Sequence, residues 1–448
     1  MRRTLLGFAA AALVASACAF APSGILTGRF SITKAALLKP VSFRTAGREP
    51  AAIKMSAVGE RKTVAPVFDE ICEQTGVTLS RYMMEVARQN PELRDLESLM
   101  GGIQQACKTI ANLVDKATIT GMVGYEASGN INIQGEEQKK LDVITNDVLK
   151  RALAFTGKVG VIASEEEDIP VFNSDAYKGP RVPGGEGKYQ DIMVDVGTKY
   201  VTVFDPLDGS SNVDANIPTG TIFGVYEETE SLENCDIDDV GNTDAQCLLN
   251  TLQPGTALVA SGYCLYSSSC IFVLTLGAGT HGFTFDRSIG EFVLTHPHIK
   301  IPRRGKIYSM NEANRWNWDK PLQEYITALQ TGECETKVQY SSRYIGSMVG
   351  DVHRTLLYGG IFGYPSDTKN TNGKLRLLYE AAPMSFLIEQ AGGLSLTGKT
   401  RIMDLKPKQV HQRVPFLAGS ADDVMEMKSY YDACDDPEIV KRCIERAT

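Results

Sequence analysis

A layered α/β fold with two lobes is predicted from three features of this 448-residue chain: helical apolar spacing, short apolar strands set between Gly and Pro breaks, and a composition of 43% hydrophobic and 22% charged residues. That balance can bury a full core, and the length favours two lobes over one. From Val67 to about Val114 the apolar positions Ile71, Leu79, Tyr82, Met83, Val86, Leu96, Leu99, Ile103 and Ile110 recur at helical spacing, with Asn90-Pro91 as the break between two helices. Residues 117–137 are rich in Gly, Asn and Ser and read as a loop, followed by a helix from Asp142 to Leu153.

Strands are expected next at Val159–Ala163, Val201–Phe204, Thr221–Val225, Ala257–Ala260, Ile271–Leu276, Gly282–Phe285 and Phe292–Leu294. Helices are expected at Pro321–Leu329, Met348–Leu357, Leu375–Ala391 and Ala421–Asp432. Gly277–Gly282 matches a GxGxxG pattern, but strand-like spacing follows it, so a hairpin turn is expected there rather than a dinucleotide site. The segment Pro180–Gly187 reads as a surface loop.

The first 60 residues differ from the body, because they hold eight Lys/Arg against Glu49 and Glu60 in a chain whose formal net charge is −8. Arg2-Arg3, an apolar run from Leu5 to about Val14 and the small residues Ala15–Ala19 have the layout of a signal peptide over residues 1–19. The run is shorter than the roughly 20 apolar residues of a membrane span, and no later segment looks membrane-spanning. Residues 20–60 have the basic, acid-poor composition of a transit peptide, so the pair resembles the bipartite presequence of a secondary plastid. A secreted protein with a propeptide is the alternative. The acidic body argues against a nucleic-acid partner, which requires a broad basic face.

Three acidic clusters carry the chemistry: Glu136 with Asp142, Glu165-Glu166-Glu167-Asp168 after the first strand, and Asp205-Pro-Leu-Asp208-Gly-Ser-Ser211 after the second. Carboxylates at neighbouring strand ends point into one crevice and repel unless a cation joins them; hard divalent ions such as Mg²⁺ take oxygen ligands. Pro206 holds a rigid turn, while Gly209, Ser210 and Ser211 offer backbone N–H groups suited to a phosphate. Glu165–Asp168 alone also fits a solvated loop, whereas two Asp around a Pro with Gly-Ser following directly after an apolar strand rarely arise from turn composition alone. Ten cysteines are too irregularly spaced for a disulfide scaffold, and only Cys235 and Cys247 bracket a polar stretch that reads as an exposed loop.

Glu136–Asn146, Ser164–Glu166, Phe204–Asn212, Gly305–Asn311, Arg343–Met348, Asp351–Arg354 and Gly373–Glu380 together resemble fructose-1,6-bisphosphatase over about residues 65–445. The resemblance implies a five-layer αβαβα sugar-phosphatase fold, with a metal and phosphate lobe at 61–255 and a sugar-phosphate lobe at 256–448. It implies Mg²⁺ held by Glu136, Glu165, Asp205, Asp208, Glu380 and the Leu207 carbonyl, with Asp142 and Glu166 orienting and deprotonating the attacking water. Gly209, Ser210 and Ser211 would hold the 1-phosphate of fructose 1,6-bisphosphate. Asn311, Tyr344, Tyr364, Lys374 and Arg376 would hold the sugar and 6-phosphate, and Arg343 would reach in from a neighbouring subunit of a homotetramer. Asn314 stands where the family has Tyr, which puts one 6-phosphate contact in doubt. The loop 228–250 falls where plastid members carry a redox loop, so a Cys235–Cys247 disulfide reduced by thioredoxin is implied. Sedoheptulose-1,7-bisphosphatase and a non-catalytic sugar-phosphate-binding regulator are the alternatives.

Overall fold

Residues 76–124, 139–167, 170–172, 199–228 and 248–447 are described in the computed structural model, all within one unit that spans Ala57–Thr448. The expected signal and transit peptides, Glu136, Cys235 and Cys247 lie outside the described residues. Helix α1 (Leu79–Gln89) begins at Thr78, whose hydroxyl accepts the Arg81 amide, and it ends at Asn90. Pro91 opens a short 3₁₀ turn before α2 (Arg94–Thr120), which stops at Gly121 in the left-handed region. The predicted break is therefore present, but α2 runs on into the stretch read as a loop. Helix α3 (Lys140–Ala154) follows.

An eight-stranded sheet comes next in the chain: β1 (Val159–Ser164), β2 (Val171–Phe172), β3 (Tyr200–Asp208), β4 (Thr219–Glu227), β5 (Leu258–Tyr266), β6 (Ile271–Thr275), β7 (Thr280–Asp286) and β8 (Glu291–Ile299). Its order is β2-β1-β3-β4-β5-β6-β7-β8, with β1 and β3 parallel and every other pair antiparallel. The expected lobe boundary at 255/256 falls inside this sheet, between the paired strands β4 and β5, so the change of sheet comes after Ile299 instead. The GxGxxG stretch is the β6–β7 hairpin turn, as its following strand pattern requires.

The remaining elements are β9 (Ile307–Ser309), α4 (Lys320–Thr331), β10 (Ser341–Ser342), α5 (Met348–Tyr358), β11 (Ile361–Tyr364), β12 (Leu375–Arg376), α6 (Ala382–Gln390), β13 (Gly393–Leu396), β14 (Arg413–Val414), β15 (Phe416–Ser420), α7 (Ala421–Asp432) and α8 (Pro437–Ala447). A second sheet has the order β10-β9-β11-β15-β13, and β12 pairs with β14. One helix expected over Leu375–Ala391 is in fact three pieces: β12, a π-turn at Leu377–Ala381, and α6. Pro383 has no amide to return to the Tyr379 carbonyl, and the Glu380 carboxylate takes the Arg376 amide, so a continuous α-helix is not available there.

Alternating side chains sort the sheets between three cores. Ile162, Tyr200, Phe204 and Phe223 face α1–α3, while Val161, Val201, Val203 and Ile222 face α5 and α6 across the sheet. On the second sheet Phe362, Phe416 and Ala418 face α5 and α6, and Ile361 and Leu417 face α4, α7 and α8. The layers are therefore α1–α3, first sheet, α5–α6, second sheet, and α4 with α7 and α8: the five-layer α/β fold. The central strands β1 and β3–β6 are buried on both faces, which is why they read as apolar runs.

The second sheet has a tight point at Gly360, where φ is +98° and an added Cβ would lie 2.0 Å from the Ile307 carbonyl oxygen. Gly360→Ala should lower unfolding stability by more than about 2 kcal/mol in urea titration, because a rigid strand must move to admit the methyl. A loss below about 0.5 kcal/mol would contradict this packing.

Candidate active site

In a regular strand two residues three apart face opposite sides of the sheet. Asp205 and Asp208 escape that rule through a bulge: against β4 the register passes from Asp205↔Ile222 to Asp208↔Gly220, three steps on one strand and two on the other. Pro206 lies inside the bulge, where its missing amide breaks no ladder bond, and its carbonyl accepts the Thr221 hydroxyl at 2.8 Å. The Leu207 amide donates to Asp205 Oδ1 at 3.0 Å, and the Val349 amide at the start of α5 donates to Asp208 Oδ2 at 3.3 Å. Glu380 comes from the π-turn. Oxygens of Asp205, Asp208 and Glu380 all lie within 4.8 Å of one another.

Glu165 joins this group because β1 is parallel to β3 and ends at Ser164, opposite Phe204 and next to Asp205; its amide donates to the Phe204 carbonyl at 3.1 Å. The turn after β1 is fastened to α3, since the Ser164 hydroxyl donates to Asn146 Oδ1 at 2.8 Å and Asn146 Nδ2 donates to Glu167 at 2.9 Å. Lys150 pairs with the same Glu167 carboxylate. Asp142 sits in the first turn of α3 and accepts the Lys139 amide at 2.9 Å.

After Asp208 the chain turns at Gly209, φ +74°, into a 3₁₀ helix over Ser210–Ala215. A side chain at Gly209 would be strained in that conformation and would approach Asn212 Nδ2 at 3.2 Å. Lys139 Nζ clamps the far end of this helix by an ion pair of 2.7 Å to Asp214, and Asn212 Nδ2 donates to the Gly346 carbonyl at 3.0 Å.

The opposite side of the cleft is basic and aromatic. Lys374 Nζ lies 5.7 Å from the centre of the Tyr364 ring, and Arg376 Nη1 donates to the Lys374 carbonyl at 2.9 Å. Burial and the neighbouring Tyr364 push the Tyr344 hydroxyl above its ordinary pKa, so it stays a neutral donor. A single cleft of about 430 Å³ is lined by Asp142, Glu165, Glu166, Asp205, Leu207, Asp208, Gly209, Ser210, Ser211, Tyr344, Tyr364, Lys374, Arg376 and Glu380. Asn311 and Arg343 do not line it: Asn311 caps the 3₁₀ helix Glu312–Asn317 by accepting the Ala313 amide, and Arg343 Nη1 donates to the Ser342 carbonyl.

Electrostatics decide what such a cleft can hold. Burial first, then the charges of Glu165, Asp208 and Glu380, push the Asp205 carboxyl well above its ordinary pKa. Glu380 is raised by burial and by Glu165 and Asp208, against the opposing pull of the Arg376 amide and guanidinium. Asp208 is pushed up to about 6 by burial, with the Val349 amide and Lys374 acting the other way. Carboxylates so placed must either take up protons or share a cation, and an all-oxygen set at this spacing suits a hard divalent ion.

Comparison with known proteins decides the family. The model of the fructose-1-6-bisphosphatase N-terminal domain matches residues 77–179 and 185–297, and that of the C-terminal domain matches 301–432. The chain belongs to the fructose-1,6-bisphosphatase family. It is 48% identical over 356 residues to fructose-1,6-bisphosphatase 1, chloroplastic, of Arabidopsis thaliana, covering 79% of this chain and 80% of that one. The chloroplastic fructose-1,6-bisphosphatase of Spinacia oleracea is 47% identical over 400 residues, covering 87% and 90%. Among solved structures, the holo form of Leishmania major fructose-1,6-bisphosphatase superposes with a TM-score of 0.69 at 41% identity, over 80% of this chain and 99% of that one. As a member of this family the chain is a phosphoric monoester hydrolase.

This bisphosphatase-family cleft also includes Lys139, Asn212, Gly346, Ser347, Met348, Asp351, Phe362 and Leu375, which sequence reasoning did not single out as site residues. Lys139 and Asn212 flank the acidic clusters directly, so charge and turn chemistry beside Asp142 and Ser211 were the available signals.

The raised carboxyl pKa values have a sign that can be tested. Without a cation these groups oppose folding progressively as pH rises above about 4, the ordinary carboxylate range, and through the folded value of about 6 at Asp208. A divalent cation relieves that repulsion and competes with protons. The Tm gained on replacing chelator with divalent cation should therefore increase from pH 5 to pH 7.5 in thermal-shift measurements. A gain independent of pH, or none, would contradict a cation site at these carboxylates.

Proposed function

We propose that this chain hydrolyses the 1-phosphate of fructose 1,6-bisphosphate with Mg²⁺ as its cation, releasing fructose 6-phosphate and phosphate. The observation that carries this reading is the meeting of Asp205, Asp208 and Glu380 oxygens within 4.8 Å, in the cleft that also holds the Gly209-Ser210 turn. Burial and mutual repulsion raise their pKa values, so the cation-free cluster holds on to protons that a dication would displace. Mg²⁺ bound there would lower the pKa of coordinated water and neutralise charge on the phosphoryl oxygens.

In this reading Glu165, Asp205, Asp208, Glu380 and the Leu207 carbonyl hold the cation, with Glu136 adding a further carboxylate. Asp142 and Glu166 orient the attacking water and receive its proton. The amides after Asp208 and the Ser210 and Ser211 hydroxyls cradle the 1-phosphate, donating to charge that grows as the ester bond breaks. Lys374, Arg376, Tyr344 and Tyr364 hold the sugar and 6-phosphate across the cleft, where guanidinium and ammonium suit a dianion. Arg343 would complete that subsite across a subunit boundary in a homotetramer, and Asn311, outside the cleft lining and capping the Glu312–Asn317 turn, is assigned to it on the family resemblance alone.

The chloroplastic names of the Arabidopsis and spinach relatives, with the basic, acid-poor residues 20–60, support a plastid location and a role in carbon fixation by the Calvin cycle. The signal-like residues 1–19 support entry into a secondary plastid through a bipartite presequence. Cys235 and Cys247 supply a thiol pair that thioredoxin would reduce, raising activity.

Phosphate release from fructose 1,6-bisphosphate should require Mg²⁺, and Asp142→Asn should lower kcat by about 10²-fold or more while leaving the cation-induced Tm gain in place. Preference for sedoheptulose 1,7-bisphosphate in the same assay would move the assignment to that substrate, and no release from either would leave the binding-regulator reading. Dithiothreitol after mild oxidation should raise activity at limiting Mg²⁺ in the wild type and not in Cys235→Ser; equal activity before and after would remove the redox claim.

A further inference from the structure

Asp351 is fully buried on α5, yet it lines the cleft and is bound by more donors than any ordinary helix residue needs. Its Oδ1 accepts the Ser309 hydroxyl at 2.7 Å, the Ile345 amide at 3.0 Å and Arg354 Nη2 at 2.6 Å. Its Oδ2 accepts the Ile345 amide at 3.1 Å and the Gly346 amide at 3.0 Å. Arg354 Nη2 also donates to the Arg343 carbonyl at 2.5 Å, so the guanidinium joins the carboxylate to the start of the same turn.

These bonds converge on residues 343–346, a turn whose side chains are exposed and which has no regular strand or helix to hold it beyond the two-residue β10. Such a turn would otherwise sample many conformers, at about 1–2 kcal/mol of backbone entropy per residue fixed. Tyr344, one of the turn residues, reaches the cleft, and the Gly346 carbonyl accepts Asn212 Nδ2 from the phosphate turn. Ser309 stands on β9, two residues before Asn311, and Val349 on the same helix as Asp351 donates to Asp208. One carboxylate thus connects the second sheet, the Tyr344 turn and the helix end that touches the carboxylate cluster.

We propose that Asp351, braced by Arg354, is a positioning residue for substrate binding: it holds the 343–346 turn so that Tyr344 and the Gly346–Asn212 link present a preformed sugar-phosphate side to the cleft. This rests on the phosphatase reading given above. Asp351 acts through the turn, and the carboxylate itself is already saturated by its donors, so it contributes neither a proton nor a ligand. Releasing the turn makes the substrate bear the ordering cost on binding, which raises KM more than it lowers kcat.

The test is steady-state hydrolysis of fructose 1,6-bisphosphate with Mg²⁺ by wild type, Asp351→Asn and Arg354→Met, with Tm measured for each. In either orientation asparagine turns an amide donor toward a backbone amide that can only donate, so Asp351→Asn should raise KM at least about fivefold and by a larger factor than kcat falls. Arg354→Met leaves the hydroxyl and amide donors on Asp351 and should shift KM in the same direction by less; it serves as the reading if Asp351→Asn does not fold. A KM rise below about fivefold in folded Asp351→Asn, an unchanged KM in Arg354→Met, or an effect carried mainly by kcat in either overturns the positioning role and leaves Asp351 as a structural residue. Failure of the wild type to hydrolyse the substrate would instead overturn the reading on which the inference rests.

Discussion

Repulsion among buried carboxylates is the constraint around which this fold is arranged. Asp205, Asp208 and Glu380 are drawn to within 4.8 Å by a bulge on β3 and a π-turn before α6, and parallel pairing of β1 with β3 brings Glu165 alongside. The carboxylates so gathered repel one another in the cation-free chain. The pKa values of Asp205, Asp208 and Glu380 are shifted upward, and the surrounding layers supply the stability that tolerates this.

The layers do this by isolating the strain. Apolar side chains alternate between cores on either side of the first sheet, so β3 is covered on both faces up to the point where Asp208 emerges into the cleft. Beyond that point polar clamps take over from packing. Lys139–Asp214 and Asn212–Gly346 hold the phosphate turn, Asn146 and Lys150 hold the Glu165–Glu167 turn, and Asp351 with Arg354 holds the Tyr344 turn. Placing rigid polar networks around a repulsive cluster yields a cleft whose two sides, acidic and basic, match the two ends of an anionic phosphorylated sugar with a bound cation.

Much of this was legible in the amino-acid order where the signal was local. The Asn90-Pro91 break, the strands expected at Val159–Ala163 and Val201–Phe204, and the acidic clusters that follow them can be read directly, because apolar runs and proline act within a few residues. The second sheet was not, since Ile307–Ser309, Ile361–Tyr364 and Gly393–Leu396 are too short to show a period. The π-turn at Leu377–Ala381 was hidden within apolar helix-like spacing; its causes are local, the Glu380 carboxylate bound to the Arg376 amide and the missing amide of Pro383, and Pro383 was the one available signal. Asp351 was missed as a site residue for a different reason: nothing in Asp351-Val-His-Arg354 reveals donors that arrive from Ser309 and Ile345.

The central claim is that Asp205, Asp208 and Glu380 form a divalent-cation site. Paramagnetic Mn²⁺, standing in for Mg²⁺, can be titrated against the chelator-treated protein and its unbound fraction read by electron paramagnetic resonance. The account predicts saturable Mn²⁺ binding by the wild type that Asp205→Asn weakens by at least about tenfold, since even residues that only orient ligands cost about 10–100-fold. Equal Mn²⁺ affinity in the two proteins, both folded by circular dichroism, would contradict it.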